Sequence, residues 1–573
     1  MEYNWKPLPE PDAEAVRALQ ASLNISIDLS RLLVQRDIRD FESARNWFRP
    51  ALAHLHDPFL MKGMKEAVAR LQKAINRGER ILFFGDYDVD GTTAVSLMAS
   101  YFKNCYPKFD TYIPDRYLEG YGVSVAGIDF AHARNCSLIV ALDCGVKSID
   151  KVAYAKSLGI DFIICDHHTP GNQLPDAVAV LDPKRTDCPY PYKELSGCGV
   201  GFKLVQAFHA KLGGNFEELI PLLDLLAVSI GADIVPITGE NRILAHFGML
   251  RLNQSPRPGL KALMEDAGAG PFNITNVVFV AGPRINAAGR MDHGKLAVAL
   301  LTSEDPQATA SLATEVRHLN TQRRQLDQSI TQQALMQMEA DSENRHATVV
   351  YREDWSKGVI GIVASRLIEN CFRPTIVLTK SGEKLAGSAR SIPNFDLYEA
   401  LEQCQDHLEQ FGGHKYAAGM TLFPEKLPAF KAAFDAAVGT LMQPEWRMPL
   451  HTYDLEVALD AFDASFYRIL QQFGPFGPEN MDPVFRINNL YDTGESRKVG
   501  GDQSHLKVQL VDRETGTLID GIAFKMAHSL EILQSGPVDI LTHLDENVWR
   551  GTRRLQLRII DIAPAGSKTP SPH

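Results

Sequence analysis

Three aspartates stand at alternate positions in the stretch ILFFGDYDVDGTT, Ile81–Thr93: Asp86, Asp88 and Asp90, followed by Gly91. Acids spaced this way before a glycine are the ligand pattern of a calcium loop, which also needs a bidentate Glu at its twelfth position and a helix in front. Twelve residues counted from Asp86 is Leu97, and the residues in front, Ile81–Phe84, are a short apolar run of the kind that makes a buried strand. The acids therefore belong at the end of a strand. Three further apolar runs close on residues able to ligate a cation: Asp143 after Leu138–Leu142, the triplet Asp166-His167-His168 after Phe162–Cys165, and Asp233 after LLAVSIGA. Singly, each aspartate reads as a turn former or helix N-cap. Jointly, they are mixed carboxylate and imidazole donors at successive strand ends of one domain. Clustered carboxylates repel, so the folded chain needs cations among them, and an oxygen-rich set with one or two imidazoles suits Mn²⁺ or Mg²⁺ better than zinc. Alternation along an extended chain puts Asp88 and Asp90 on one side.

The elements that must position these residues follow from periodicity. Helical stretches such as Glu66–Asn76 and Ser148–Leu158 alternate with the apolar runs, which implies a parallel sheet with helices on both faces. Ligands then gather at the carboxyl ends of the strands. Residues 1–56 read as a helical lead-in, 57–305 as the acid-bearing α/β domain, and 306–345, nearly free of Gly and Pro, as a long connecting helix. A smaller α/β domain covers 346–445, an antiparallel β-barrel 446–564, and a disordered tail 565–573.

Composition narrows the partners without naming one. The chain has 573 residues, 45% hydrophobic and 23% charged, ordinary values for a soluble multidomain protein. A net charge of −11 argues against coating a long nucleic-acid backbone, but a local basic channel is compatible with it. The most apolar stretch, Leu219–Ile237, is interrupted by Asp224 and Asp233, so no membrane span is expected. Eight scattered cysteines without a CxxC pair and a start without a signal-peptide pattern point to the cytoplasm.

The motifs GDYDVDGTT, ALDCGV, CDHHTPG and GADIVP resemble, in order, those of the DHH phosphoesterase superfamily, and GGHKYAAG resembles the glycine-rich signature of its DHHA1 second domain. With IPDRYLEGYG, GPRINAAGR and GSARS added, the whole order resembles the RecJ single-stranded-DNA exonucleases. The resemblance implies a DHH domain, a connecting helix, a DHHA1 domain and a terminal OB-fold. It implies two divalent ions, with Asp88 and Asp90 each holding one, Asp143 bridging them, and His167 and Asp233 completing the Asp90 side. His168 would stand at the scissile phosphate, with Asp86 and Asp166 orienting their neighbours. Cys144 departs from relatives in which Asn follows the motif-two aspartate, which leaves the hydrogen bonding of that loop open.

An exonuclease must also sense a chain end. The resemblance gives Arg116, Ser388 and Arg390 to a 5′-terminal phosphate, for which paired guanidinium hydrogen bonds are suited. Arg284 and Arg290 would line a backbone channel, and His414 the same phosphate region. In the barrel, Trp549, Arg550, Arg553 and Arg554 form an exposed basic and aromatic turn suited to single strands, whereas Phe473 and Phe476 read as core. The expectation is a monomeric, cytoplasmic, metal-dependent 5′→3′ exonuclease of single-stranded DNA. It would release 5′-mononucleotides in repair and recombination, beside a helicase and single-strand-binding protein. The rivals are a phosphoesterase of short oligonucleotides or cyclic dinucleotides, and a DNA-binding relative that does not cut.

Overall fold

The structure, a computed structural model, describes residues 2–268, 271–340, 346–549 and 551–568. It divides into a larger unit holding residues 5–285, 297–310 and those described from 451 onward, and a smaller one holding 286–296 and 311–450 with the first few residues.

The larger unit opens with three short helices, α1 (Ala13–Leu23), α2 (Ile27–Val34) and α3 (Phe41–Phe48). Asp12, Ser26 and Asp40 cap them by accepting first-turn N–H groups. Helix α4 (Met64–Asn76) leads into β1 (Arg80–Gly85), α5 (Val89–Cys105), β2 (Phe109–Tyr112), β3 (Cys136–Leu142), β4 (Asp161–Cys165) and β5 (Ala179–Leu181). The strands form one parallel sheet in the order β2-β1-β3-β4-β5. Both faces are covered, which is why β1, β3 and β4 read as unbroken apolar runs. Their register is the key to the site. Gly85 pairs with Leu142, Leu142 with Cys165 and Cys165 with Leu181. The next residue in each strand is therefore Asp86, Asp143, Asp166 or Asp182, four carboxylates in a row along the carboxyl edge. Helices α6 (Gly197–Lys211) and α7 (Leu223–Ala232) follow.

Two expectations about placement are corrected. The helix after β1 starts at Val89, so Asp90 lies in its first turn and shares no extended strand with Asp88. Asp233 does not end a strand either. The run before it is α7, apolar on every side because it is buried on every side, and Asp233 caps its carboxyl end.

After several shorter helices between residues 239 and 302 comes the 35-residue helix α8 (Pro306–Ala340). The smaller unit then contributes β6 (Thr348–Tyr351), α9 (Ile360–Cys371), β7 (Thr375–Ser381), β8 (Lys384–Arg390), β9 (Gln410–His414) and β10 (Ala417–Leu422), with sheet order β9-β10-β8-β7-β6.

The barrel belongs to the larger unit. Its strands are β11 (Phe485–Asp492), β12 (His505–Val511), β13 (Leu518–Ala523), β14 (Val538–Trp549) and β15 (Thr552–Pro564). The ring runs β11-β14-β15-β13-β12 and returns to β11 through Tyr491 opposite Val511. One pair, β13 with β15, is parallel, so the barrel is not wholly antiparallel; this is the OB-fold connectivity. Residues 1–56 are also more than a lead-in. Val16, Leu19, Leu29, Leu32 and Leu33 share one hydrophobic core with Phe473, Phe485, Leu506 and Leu557 of the barrel region. Phe48 meets the Phe473 ring edge-on at 5.6 Å, and Arg36 donates to Asn480 Oδ1 at 2.9 Å. Short amphipathic helices need a partner for their apolar face, and here it comes from the far end of the sequence. Among the described residues no helix is long and apolar enough to cross a membrane.

Candidate metal centre

Each acidic side chain is aimed by a local backbone device. Asp88 is the N-cap of α5, its Oδ1 accepting from Gly91 N at 3.0 Å. Gly91 is required by closeness, since a Cβ there would stand 2.4 Å from the backbone N and O of Asp86. Asp90 is held by the amino end of α6: Gly197 N donates to Oδ2 at 2.6 Å, Cys198 N to Oδ1 at 2.8 Å, and Ser229 Oγ to Oδ1 at 2.6 Å. A helix amino terminus is suited to a carboxylate. Asp143 turns out of β3 with φ of 60°, and its N–H donates to Cys165 O at 2.8 Å. Asp166 ties its loop together, accepting from Val146 N at 2.8 Å, His167 N at 2.8 Å and His168 N at 3.2 Å.

The ligand atoms converge. His167 Nε2 lies 3.2 Å from Asp143 Oδ1, 3.6 Å from Asp233 Oδ2 and 3.7 Å from Asp90 Oδ2. Three groups bring their ligand atoms within 4.8 Å of one another: Asp86 with Asp88 and Asp143, Asp90 with His167 and Asp233, and Asp143 with His167 and His168. Asp143 belongs to two of them. Asp86 has two roles by geometry, since Oδ1 accepts from Gly122 N at 3.2 Å while Oδ2 is buried with no hydrogen-bond partner among the described residues.

Charge is out of balance there. Burial, and then the charges of Asp90 and Asp88, hold the Asp143 carboxyl well above the ordinary range. Burial with Asp88 does the same to Asp86, and burial with Asp90 and Asp88 pushes Asp233 up to about 9. Burial lowers His167, keeping its imidazole neutral. His168 differs. Burial opposes its protonation, but the hydrogen bond from Nδ1 to Asp166 Oδ1 at 2.7 Å and the charges of Asp166, Asp90 and Asp88 together outweigh that and raise it, while Asp166 is lowered.

Both oxygens of Asp143, Oδ2 of Asp86 and both ring nitrogens of His167 are buried with no hydrogen-bond partner among the described residues. Leaving such groups unsatisfied costs about 1–3 kcal/mol each, more when charged. Carboxylate oxygens with one or two imidazoles are what Mn²⁺ or Mg²⁺ accept, so the residues fit two divalent cations.

The other expected residues are placed as follows. The Arg116 guanidinium stacks on Tyr87, 4.5 Å from the ring centroid. Arg284 donates to Leu263 O and, through Nη2, to Asp266 Oδ2 at 3.0 Å, so an acid and a carbonyl occupy it where a backbone channel was expected. In the smaller unit, Arg290 Nη1 donates to Gly358 O at 2.8 Å, just before α9. Arg390 Nη1 donates to Ser388 Oγ at 3.1 Å. Strand register lines Ser388 up with Gly419 and, one strand further, Gly412, and Arg390 with Ala417 and, one strand further, His414, so GSARS and GGHK lie in register across the sheet. In the barrel, Arg553 pairs with Glu546 at 2.7 Å and Arg554 is exposed. The Trp549 side chain and Arg550 lie outside the described residues, as do the last five residues of the tail.

Comparison with known proteins identifies the family. Family models match residues 80–230 (DHH family, N-terminal domain), 344–440 (DHHA1 domain) and 453–561 (RecJ OB domain). The single-stranded-DNA-specific exonuclease RecJ of Bacillus subtilis is 37% identical over 564 residues, 98% of this chain and 70% of that protein. Its Escherichia coli counterpart is 35% identical, covering 94% of this chain and 96% of that one. The chain belongs to the RecJ family. A solved structure of RecJ in complex with Mn²⁺ from Thermus thermophilus superimposes with a TM-score of 0.84 at 28% identity, covering 98% of this chain and 79% of that one.

Several residues of this RecJ-family site were not singled out in the sequence. Ser229 and the N–H groups of Gly197 and Cys198 hold Asp90, and the signal was SGCG opening a helix. Tyr121 OH stands 2.8 Å from His168 Nε2, in the IPDRYLEGYG stretch that supplied only Arg116. Asp182 completes the carboxylate row after the apolar run AVAVL. It is fully buried, and burial together with Asp166 pushes it up to about 7. Cys144, the departure from relatives, is buried in the sheet core with its thiol held up by burial.

Proposed function

We infer that the chain is a metal-dependent exonuclease of single-stranded DNA, acting in repair and recombination. It hydrolyses phosphodiester bonds from the 5′ end and releases 5′-mononucleotides. The observation that carries this is the set of buried, unpartnered donors on Asp86, Asp143 and His167 at the carboxyl edge of the sheet. Asp88, with Asp86, would hold one cation, Asp90, His167 and Asp233 the other, and Asp143 both. When bound, the two cations offset the phosphate's charge and activate water for attack.

The chain's own residues do the positioning. Three donors fix Asp90, and Asp166 fixes the His168 ring and favours its protonated form. The His168 Nε2–H, which now meets Tyr121, is the donor available to a phosphate oxygen. Asp86 and Asp166 also order the loops at residues 122 and 146. In the smaller unit, Ser388, Arg390 and His414 supply donors for a terminal phosphate, and Arg116 and Arg290 are assigned to the same strand. Catalysis maps to residues 57–305, end recognition to 346–445 and strand capture to 446–564. A helicase and single-strand-binding protein are the partners this activity expects.

The test is digestion of strands labelled at either end, with and without a 5′-phosphate, in Mn²⁺ or Mg²⁺. Stepwise loss of the 5′ label as mononucleotide is expected. Degradation from the 3′ end, or equal cutting of duplex, overturns the reading.

A further inference from the structure

A groove of about 960 Å³ lies on the larger unit between α4 and the end of α6. Its floor is apolar: Phe59 from the turn Pro58–Leu60, Val68 and Ala69 of α4, and Ala210 of α6. Its rim is cationic, with Lys65 and Lys73 on α4, Arg77 just beyond it, and Lys211 closing α6. Positions 65, 69, 72, 73 and 76 share one face of a helix, so the groove is a continuous stripe of α4. Among the described residues no carboxylate lines it, in a chain whose net charge is −11. Nearby Lys62 shows the alternative, pairing with Asp187 at 2.6 Å. Among the described residues none of the four rim cations is ion-paired.

Four cations around an apolar floor match a ligand with the opposite layout. We propose that this groove docks an acidic segment of a partner protein, with carboxylates on the rim and a leucine- or phenylalanine-type side chain on the floor. Charge complementarity selects the sign of the partner. The floor selects a peptide over nucleic acid, because Phe59 is the only aromatic lining the groove and is half-buried, leaving no platform on which bases stack. The placement is compatible with work at the metals. The carboxyl end of α4 leads into the start of β1, so Lys73 and Arg77 stand at the amino edge of the sheet, opposite the edge that carries Asp86 and Asp143. A docked segment leaves the catalytic edge open.

The test uses the full chain and a fluorescein-labelled probe, Asp-Asp-Glu-Leu-Phe-Asp, read by anisotropy at low salt. The same peptide with Ser-Ser in place of Leu-Phe, and a twelve-residue oligothymidylate, serve as competitors. Saturable binding is expected, weakened about tenfold or more by the double variant Lys65→Glu, Lys73→Glu and by the Ser-Ser change. Exonuclease rate on labelled single strands should stay within about twofold in that variant, which separates this result from any failure of the catalytic reading. Absence of binding, or binding indifferent to the charge reversal, overturns the proposal. So does equal binding of the Ser-Ser peptide, which would mean bare ion attraction. Displacement of the probe by the oligothymidylate, with loss of strand binding in the variant, would make the groove a nucleic-acid surface instead.

Discussion

Replacing Asp143 by Asn should stabilise the metal-free protein while destroying its activity. Ligand oxygens of Asp86, Asp88 and Asp143 lie within 4.8 Å of one another. Two unit charges at that spacing repel by about 3 kcal/mol at an effective dielectric near 20. Protonation relieves part of this, which is what the raised carboxyls express. A carboxyl raised in the folded state contributes stability that is present below the ordinary carboxylate range, about pH 4, and lost as pH climbs through the folded value. For Asp233 that value is about 9. Without metal, stability should therefore fall between about pH 4 and pH 9. Asn keeps the shape of Asp143 and removes one charge from this set. In EDTA at pH 8 the variant should be more stable by on the order of 1–3 kcal/mol, or several degrees in melting midpoint, and the gap should narrow toward pH 5. Mn²⁺ at a hundredfold excess over its dissociation constant should stabilise the parent by about 2.7 kcal/mol and the variant far less. Cleavage should drop by about 10³-fold or more. Circular-dichroism melts from pH 5 to 9, with EDTA or Mn²⁺, provide the measurement. A variant that melts below the parent in EDTA at pH 8, or gains as much from Mn²⁺, refutes this account of the cluster.

Asp166→Asn removes the carboxylate that favours the protonated form of His168. It should lower kcat by about 10–100-fold with little change in KM, and move the alkaline limb of the pH–rate profile to lower pH. Arg390→Ala should cut the preference for 5′-phosphorylated over 5′-hydroxyl strands by about 10–100-fold in kcat/KM. Gly361→Ala should act in the same direction, because its Cβ would stand 2.9 Å from Arg390 Nη2 and Ser388 Oγ; unchanged discrimination in both would remove the phosphate seat. Arg554→Ala should lower the salt slope of single-strand binding by about 0.7. Arg553→Ala, already paired with Glu546, should lower it by less, which a salt titration of oligonucleotide binding resolves.

The strands of the parallel sheet were legible because burial on both faces leaves an unmistakable apolar run, and the residue after each run is one of the clustered carboxylates, Asp86, Asp143 or Asp166. Where burial was equally complete in a helix, the same signal misled. LLDLLAVSIGA has no polar face to reveal a period of 3.6, so Asp233 read as a strand end when it caps α7. Asp90 was found as an acid but misplaced, because its N–H partners, at Gly197 and Cys198, lie more than a hundred residues away. Asp182 went unnoticed because an aspartate after a three-residue strand looks like a turn; only the register of four strands puts it in the row. Arg284 shows the limit on the binding side, since nothing local to GPRINAAGR announces Asp266 as its partner.

The shared core of α1–α3 and the barrel bears on how the chain is made. Val16, Leu19, Leu32 and Leu33 are synthesised some 450 residues or more ahead of Phe485 and Leu557, which lie in the same core. At roughly 5–20 residues per second, the wait is on the order of 25–100 s. During that interval the first three helices have an apolar face and no partner. These three helices are thus buried long after they are made, and a chaperone that shields nascent apolar helices would act on them.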